Sequence, residues 1–276
     1  VAWSRDSHLL ASAGQDGLVK VWDVERKDLA WSDKASAPWA ESVAWSPDGA
    51  LLAVAAGKFV RLWDCQGQLL RTFGPHSSTV LDIAWKPHSH QLAATSYACV
   101  TLWDAGEAEP LGTYRWQGSS LALAWSPNCR YLATGDQDAT VHFWITETGR
   151  DYQMSGYPRK VKELSWDATS RWLATGGGSQ VCVWDCSPPG PKDREPLILE
   201  AHDRSLTTLA FQRQRELLAT GGEEGRVMIW RPARGTAVVS TTQEGPAITQ
   251  LAWSPDDKTL LAGDETGGVR LFQVMA

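Results

Sequence analysis

The stretch VAWSRDSHLLASAGQDGLVKVWD, Val1–Asp23, carries the pattern that decides the fold. Short runs in which apolar and polar residues alternate, such as LVKVW, follow clusters of Gly and Asp that are typical of hairpin turns. Trp3 and Trp22 stand at the two ends of these runs. No sustained period of 3.6 residues is present, so the stretch predicts short β-strands and no long helix.

The same pattern returns six more times along the chain. Each unit has a first aromatic residue two positions after its leading apolar residue, and a second aromatic 18 or 19 residues later. Twelve of the 16 tryptophans occupy these places, so we expect the 14 aromatic positions to lie in a repeated core. The leading residues, 40 to 45 positions apart, are Val1, Val43, Ile83, Leu123, Leu164, Leu209 and Leu251.

Each unit predicts three strands, a, b and c, followed by a linker with room for a fourth strand, d, as in Leu69–Phe73, Tyr152–Met154 and Pro196–Glu200. With the WD pairs at Trp22–Asp23, Trp63–Asp64, Trp103–Asp104 and Trp184–Asp185, the chain resembles the WD-repeat β-propeller family. The resemblance covers residues from Val1 to about Val274. It implies an all-β fold, a seven-bladed β-propeller of four-stranded antiparallel blades, formed as a single domain over residues 1–276.

The two ends of the chain suggest an incomplete last blade. Seven units provide only six linkers that can hold strand d, because only Gln273–Ala276 follow Phe272. In the family, the N-terminus supplies the missing outer strand of the last blade. We therefore expect a chain trimmed before Val1, whose last blade lacks its outer strand and exposes an edge over Gly268–Phe272.

The resemblance also implies a buried hydrogen-bonded set in each blade: His before strand a, Ser or Thr on strand b, Asp in the b–c turn and Trp on strand c. One such set resembles a catalytic triad, but a buried indole and hydroxyl need partners in any case, so we expect a structural role. Repeats with Ser36, Trp116, Tyr157 or Glu244 at the His position are expected to rely on packing. By position the sets are Ser12, Asp16 and Trp22; Thr134, Asp138 and Trp144; and His202, Thr220, Glu224 and Trp230.

Composition argues against several classes of function. The net charge of −6 and the pI near 5.5 are unlike those of a nucleic-acid-binding domain. No apolar run approaches the ~18 residues of a membrane span. The five cysteines lack the spacing of a zinc or redox motif, which favours free thiols and a reducing, cytoplasmic compartment. His88 and His90 form an HxH pair with no identifiable third ligand, so we predict no metal, no cofactor and no small-molecule substrate.

Partner contacts in the family concentrate on loops that ring one end of the channel. Trp39 lies outside the two aromatic positions of its repeat, so it is the strongest candidate, although it could instead pack locally against the second repeat. Lys160 and Lys162 are expected to face acidic residues around the same ring. The partner-binding positions that we predict are Trp39, Glu41, Leu81, Leu121, Lys160, Lys162, Thr207, Glu223 and Glu265.

The leading hypothesis is a non-catalytic scaffold that presents this ring to a protein or peptide partner. A regulatory or sensor domain of a larger multidomain protein is an alternative that is compatible with the first. A propeller enzyme or metal protein is less favoured, because carboxylates and histidines do not converge at the aligned positions.

Overall fold

The computed structural model describes residues 1–200, 202–232, 238–241 and 244–274, with 238–241 described by their backbone alone. Every regular element with described bounds is a β-strand, and the pairs with a described register are antiparallel. The chain divides into two compact units, Val1–Trp125 and Ser126–Ala276. The expectation of a single domain over residues 1–276 stays a prediction.

The first unit contains the strands of the first three repeats and the a strand of the fourth. Two four-stranded sheets have the orders β1-β2-β3-β4 and β5-β6-β7-β8, and β9 and β11 pair with β10 on its two sides. The strands are β1 (Ala2–Trp3), β2 (Leu9–Ala13), β3 (Leu18–Asp23), β4 (Asp28–Lys34), β5 (Ala40–Trp45), β6 (Leu51–Ala56), β7 (Phe59–Asp64), β8 (Leu69–Phe73), β9 (Ile83–Trp85), β10 (Gln91–Asp104) and β11 (Gly112–Trp125).

The second unit contains the remaining strands. The orders β15-β16-β17-β18 and β19-β20-β21-β22 are four-stranded, whereas β23-β24-β25 has three strands within the described residues, as predicted for the last repeat. The strands are β12 (Tyr131–Asp136), β13 (Val141–Ile145), β14 (Arg150–Met154), β15 (Leu164–Trp166), β16 (Trp172–Thr175), β17 (Val181–Asp185), β18 (Leu197–Leu199), β19 (Leu206–Phe211), β20 (Leu218–Gly222), β21 (Val227–Trp230), β22 (Val238–Thr241), β23 (Ile248–Trp253), β24 (Thr259–Asp264) and β25 (Val269–Gln273).

The predicted number of blades was wrong: the strands of the described residues form six sheets, not seven. β11 runs unbroken from Gly112 to Trp125, so the d strand of the third repeat and the a strand of the fourth are one continuous strand of the first unit and do not fall into two separate sheets. This segment contains no proline. Four of the other d–a linkers do contain one, and proline ends a strand because it lacks the N–H donor that the ladder needs. Those prolines are Pro38, Pro75, Pro158 and Pro246.

The spacing of the two aromatics follows from strand register. In the second repeat, Leu52 is the cross-strand neighbour of both Trp45 and Trp63. The first, fifth, sixth and seventh repeats place a leucine between their two aromatics in the same way. Because directly opposite residues share one face of a sheet, the 18- or 19-residue spacing brings both rings to the same buried leucine.

The first aromatic of a repeat also packs towards the repeat before it. The indole N–H of Trp85 donates to the carbonyl oxygen of Ala44 at 3.0 Å, and that of Trp253 donates to Ala210 at 2.9 Å. The first sheet has no preceding repeat in its unit. Trp3 is accordingly 52% exposed and Trp22 38% exposed, so the prediction that all 14 aromatics are core was wrong for this repeat.

Within the described ranges, the chain has no helix whose length and apolar character would let it span a lipid bilayer.

Candidate functional site

The hydrogen-bonded set of the sixth repeat is a continuous chain of four side chains. Glu224 contacts Nδ1 of His202, Nε2 of His202 lies 3.0 Å from the hydroxyl of Thr220, and the indole of Trp230 donates to that hydroxyl at 3.0 Å. All four side chains are buried. Burial lowers the pKa of His202, although the neighbouring carboxylate acts in the opposite direction.

The neutral imidazole satisfies this chain in one tautomer. Nδ1–H donates to Glu224, and Nε2 accepts from the hydroxyl of Thr220, which accepts in turn from the indole. Both ring nitrogens and the hydroxyl are therefore occupied by neighbours within the repeat. The arrangement can hold the b–c turn against the segment before strand a, but it offers no free nucleophile or base at a surface.

The predicted sets of the first and fourth repeats are less complete. Trp22 donates to the hydroxyl of Ser12 at 3.2 Å, while Asp16 forms an ion pair with Lys20 and takes no part in that bond. In the fourth repeat, Asp138 accepts from Thr140. The hydroxyl of Thr134, on the same repeat as Trp144, is buried and has no hydrogen-bond partner within the part of the chain that the structure describes.

The fifth repeat has a substitute that the sequence analysis missed. Tyr157 occupies the His position, and its hydroxyl lies 2.8 Å from that of Thr175 and accepts from the indole of Trp184 at 3.0 Å. The expectation that this repeat relies on packing was wrong. The signal was present in the sequence, because a phenol can reach a strand-b hydroxyl and a strand-c indole from the same position.

A second missed feature is a partly buried carboxylate between repeats. Asp82 accepts hydrogen bonds from the hydroxyl of Ser42 and from the backbone N–H groups of Ile83 and Leu123, each at 2.9 Å. Burial raises its pKa to about 6, and the three donors oppose that rise. Asp82 therefore joins the a strands of the second, third and fourth repeats within the first unit.

Glu163 stands at the same place in the fifth repeat, one residue before the leading apolar residue. Burial raises the pKa of this carboxyl too, against the effect of the backbone N–H of Lys162 and of nearby lysine charges. Two repeats thus place a partly buried acid at one aligned position. No rule within a single repeat predicts this, because the partners of Asp82 lie about one repeat away on either side.

The second unit contains a pocket of about 510 Å³ on the d–a loop of the fifth repeat, which we call the basic pocket. Arg159, Lys160 and Lys162 supply its cations, and Glu223 lies on the same pocket with Glu163. Two predicted partner-binding lysines and one predicted glutamate therefore lie around a common depression. Its other lining residues are Gln137, Gly177, Gly178, Ser205 and Leu206.

Glycines bring the walls of the basic pocket together. Gly177 has φ +110°, and a Cβ there would lie 3.0 Å from both Tyr157 and Val161. At Gly178 a Cβ would lie 2.7 Å from Pro158. The triple-glycine turn of the fifth repeat therefore lets the cationic loop pack directly onto it.

Two further predicted residues of this unit lie outside the basic pocket. The hydroxyl of Thr207 contacts the backbone carbonyl oxygens of Gly221 (2.9 Å) and Ile248, so it joins adjacent repeats; its predicted role in partner binding stays a prediction. Glu265 is exposed, and its carboxylate accepts from the backbone N–H of Ala247 at 3.2 Å.

In the first unit, Trp39 is 59% exposed and therefore lies outside the core. Glu41, two residues later, is exposed as well, and Ala40 between them is buried at the start of β5. Leu81 and Leu121 are half-buried. Trp39 and Glu41 are thus the accessible members of the predicted set in this unit.

The HxH pair does not form a metal site within the described residues. His90 lies 2.7 Å from a carboxylate oxygen of Asp48, and His88 lines the same depression as Arg5. No group of three or more His, Cys, Asp or Glu side chains in the described ranges is placed to hold a metal ion. The expectation of a protein without metal or cofactor stays a prediction.

Comparison with known proteins supplies the family. A family model described as "WD domain, G-beta repeat" matches residues 1–23, 36–64, 67–104, 108–144 and 151–185. A second, described as "Anaphase-promoting complex subunit 4 WD40 domain", matches residues 209–276.

Two curated relatives match most of the chain. "WD repeat-containing protein slp1" of Schizosaccharomyces pombe is 26% identical over 253 residues, which are 88% of this chain and 42% of the relative. "Cell division cycle 20.1, cofactor of APC complex" of Arabidopsis thaliana is 26% identical over 272 residues, 91% of this chain and 58% of the relative. The chain thus spans about half the length of these relatives.

A solved chain in "Crystal Structure of Mitotic Checkpoint Complex" has the same fold, with a TM-score of 0.83 at 23% identity over 100% of this chain and 86% of that one. The repeat model covers more than half of the sequence and matches each of the first five repeats in turn. The resemblance carried by the two aromatics and the WD pairs is therefore confirmed: the chain belongs to the WD40 repeat family.

Proposed function

We propose that this chain is a non-catalytic protein–protein interaction domain that presents surface loops to a peptide or to a domain of a partner protein. Membership in the WD40 repeat family supports the proposal. So do the printed names of its relatives, since one is a cofactor of the APC complex and a solved chain with this fold belongs to a mitotic checkpoint complex. Both names describe proteins that work in assemblies.

The observation that carries the proposal is the exposure of Trp39. Its side chain is 59% exposed, whereas Trp45, six residues later on β5, is 8% exposed. A large aromatic held in solvent gains nothing for folding, and aromatic side chains dominate the binding energy of protein interfaces. Ala40 is buried directly beside it and fixes the position of its backbone.

The chemistry of the described side chains supports a function without catalysis. The set that resembles a catalytic triad is buried, and every one of its reactive nitrogen and hydroxyl groups is bonded within the repeat. The absence of a nucleic acid, membrane or small-molecule partner stays a prediction, as does a cytoplasmic location.

A quantitative pull-down tests the proposal. Immobilised parent chain, Trp39→Ala, Lys160→Glu/Lys162→Glu and the control Leu70→Ala are exposed to extract of the source cells, and the captured proteins are counted by mass spectrometry. Leu70 is a matched control because it is 49% exposed on β8, outside the predicted surface.

We expect the captured set to lose specific members with Trp39→Ala while Leu70→Ala retains them. Circular dichroism checks that the variants are folded. Equal recovery by the parent, by Trp39→Ala and by the lysine double variant would contradict the proposal.

A further inference from the structure

The cations of the basic pocket are exposed to solvent, although the charges of Lys160 and Lys162 act on the nearby carboxyl of Glu163. Arg159, Lys160 and Lys162 are exposed, and none of them forms an ion pair with a carboxylate in the described ranges. The polar contact of the Arg159 guanidinium is the hydroxyl of Ser205, at 2.7 Å. By contrast, Arg226, in the sixth repeat, pairs with two carboxylates. Three cations within four residues thus remain available for an anionic partner.

The backbone that carries these cations is held on both sides. The N–H of Arg159 donates to the carbonyl oxygen of Gly177 at 2.9 Å, and the N–H of Val161 donates to that of Asp136 at 3.1 Å. The side chain of Val161 is completely buried between the two lysines. A loop held in this way needs little further ordering when a ligand binds, which lowers the entropic cost of association.

The rest of the pocket limits the kind of anion that fits. Glu223 and Glu163 line the same depression and would repel a continuous polyphosphate backbone. The net charge of −6 opposes nucleic acid further. The two lysines are point charges suited to separate carboxylates, and the one guanidinium already donates to Ser205, which disfavours bidentate capture of a phosphate.

We propose that the basic pocket binds an acidic peptide segment. Its aspartate or glutamate side chains lie against Arg159, Lys160 and Lys162, and a hydrogen-bond donor of the same segment lies towards Glu223. The pocket volume, about 510 Å³, suits a few side chains of an extended peptide. This inference rests on the proposed function and specifies that the partner presents acidic side chains.

Fluorescence anisotropy with the full chain tests it. One probe is a fluorescein-labelled peptide with three consecutive aspartates between glycine and serine residues, and the second carries asparagines instead. We expect the aspartate peptide to bind at least about tenfold more tightly at low salt, and its affinity to fall as salt is added.

Two double variants separate the pocket from overall charge. Lys160→Glu/Lys162→Glu should abolish the preference for the aspartate peptide. Lys27→Glu/Lys192→Glu, which changes two exposed lysines elsewhere and gives the same net charge, should retain it.

Equal binding of the two peptides, absence of binding, or equal losses in the two double variants would overturn the inference. An unlabelled single-stranded oligonucleotide that displaces the peptide and binds more tightly through the same lysines would overturn the choice of a peptide. If Trp39→Ala changes the proteins captured in the pull-down while the aspartate peptide fails to bind, the proposed function stands and this inference alone falls.

Discussion

Replacing Asp82 by asparagine should change how the stability of the protein depends on pH. Asp82 is partly buried and accepts from Ser42 and Ile83 on one carboxylate oxygen and from the backbone N–H of Leu123 on the other. Asparagine keeps the shape and can keep the first two bonds. Its amide nitrogen then faces the N–H of Leu123, so one bond between repeats is lost, at a cost of about 1–3 kcal/mol.

The pH dependence follows from the raised pKa of Asp82, about 6 in the folded chain against an ordinary value of 3.8 for an aspartate. Between these values the folded protein keeps a proton that the unfolded chain has lost. The contribution of Asp82 to the free energy of unfolding therefore falls as pH rises through this window. A shift of roughly two units at 1.36 kcal/mol per unit corresponds to about 3 kcal/mol.

Asparagine does not titrate, so the stability of the parent minus that of Asp82→Asn should fall by about 3 kcal/mol between about pH 4 and pH 7. The parent is the more stable protein at the acid end, and the difference vanishes or reverses at neutral pH. Other groups, such as His76, whose pKa burial lowers to about 4, titrate equally in both proteins and cancel.

Thermal unfolding followed by tryptophan fluorescence measures this difference as a shift in Tm of roughly 5–10 °C across the window. Asp256→Asn is the control. Asp256 is exposed and its pKa is lowered by the hydroxyl of Ser254, so its contribution changes below about pH 4 and stays flat above. A difference between the parent and Asp82→Asn that is independent of pH would refute the reasoning.

Three further substitutions test the internal hydrogen bonds by the same unfolding assay. Thr220→Val leaves the buried indole N–H of Trp230 without an acceptor and should lower stability by about 2–4 kcal/mol, whereas Thr220→Ser should recover most of the loss. Tyr157→Phe removes an acceptor of the Trp184 indole and should cost about 1–2 kcal/mol; an unchanged Tm would show that the phenol contributes only packing. Asp257→Ala should cost about 2–4 kcal/mol, because the buried carboxylate accepts from three backbone N–H groups of a neighbouring turn. A loss below about 0.5 kcal/mol would mean that water replaces these bonds.

Features inside one repeat could be predicted from the sequence. The strand Leu69–Phe73 is β8 with the same bounds, and the strand predicted at Tyr152–Met154 lies within β14. The spacing of the aromatics worked because it reports strand register, which is local and is set by turn length. The same locality let the resemblance to the family place the set around His202 on the correct positions.

Features that depend on the neighbouring repeat could not be predicted. Trp3 has the same sequence context as Trp45, yet its exposure is 52% instead of 8%, because the side chain that covers an aromatic comes from another repeat. The continuity of β11, in which the d strand of the third repeat runs on into the a strand of the fourth, is likewise a feature of the linker and not of the repeat motif.

The predicted partner-binding positions also differ in whether a neighbouring repeat contacts them. Thr207 matches a partner-binding position of the family, but its hydroxyl bonds to Gly221 and to Ile248 about one repeat later. Trp39 also matches such a position and is exposed. The aligned position within a repeat therefore predicts which way a side chain points. Contacts with the adjacent repeat determine whether that side chain stays exposed to solvent. Trp39 and Lys160 are exposed on loops, which is why we propose them as positions on which a partner can act.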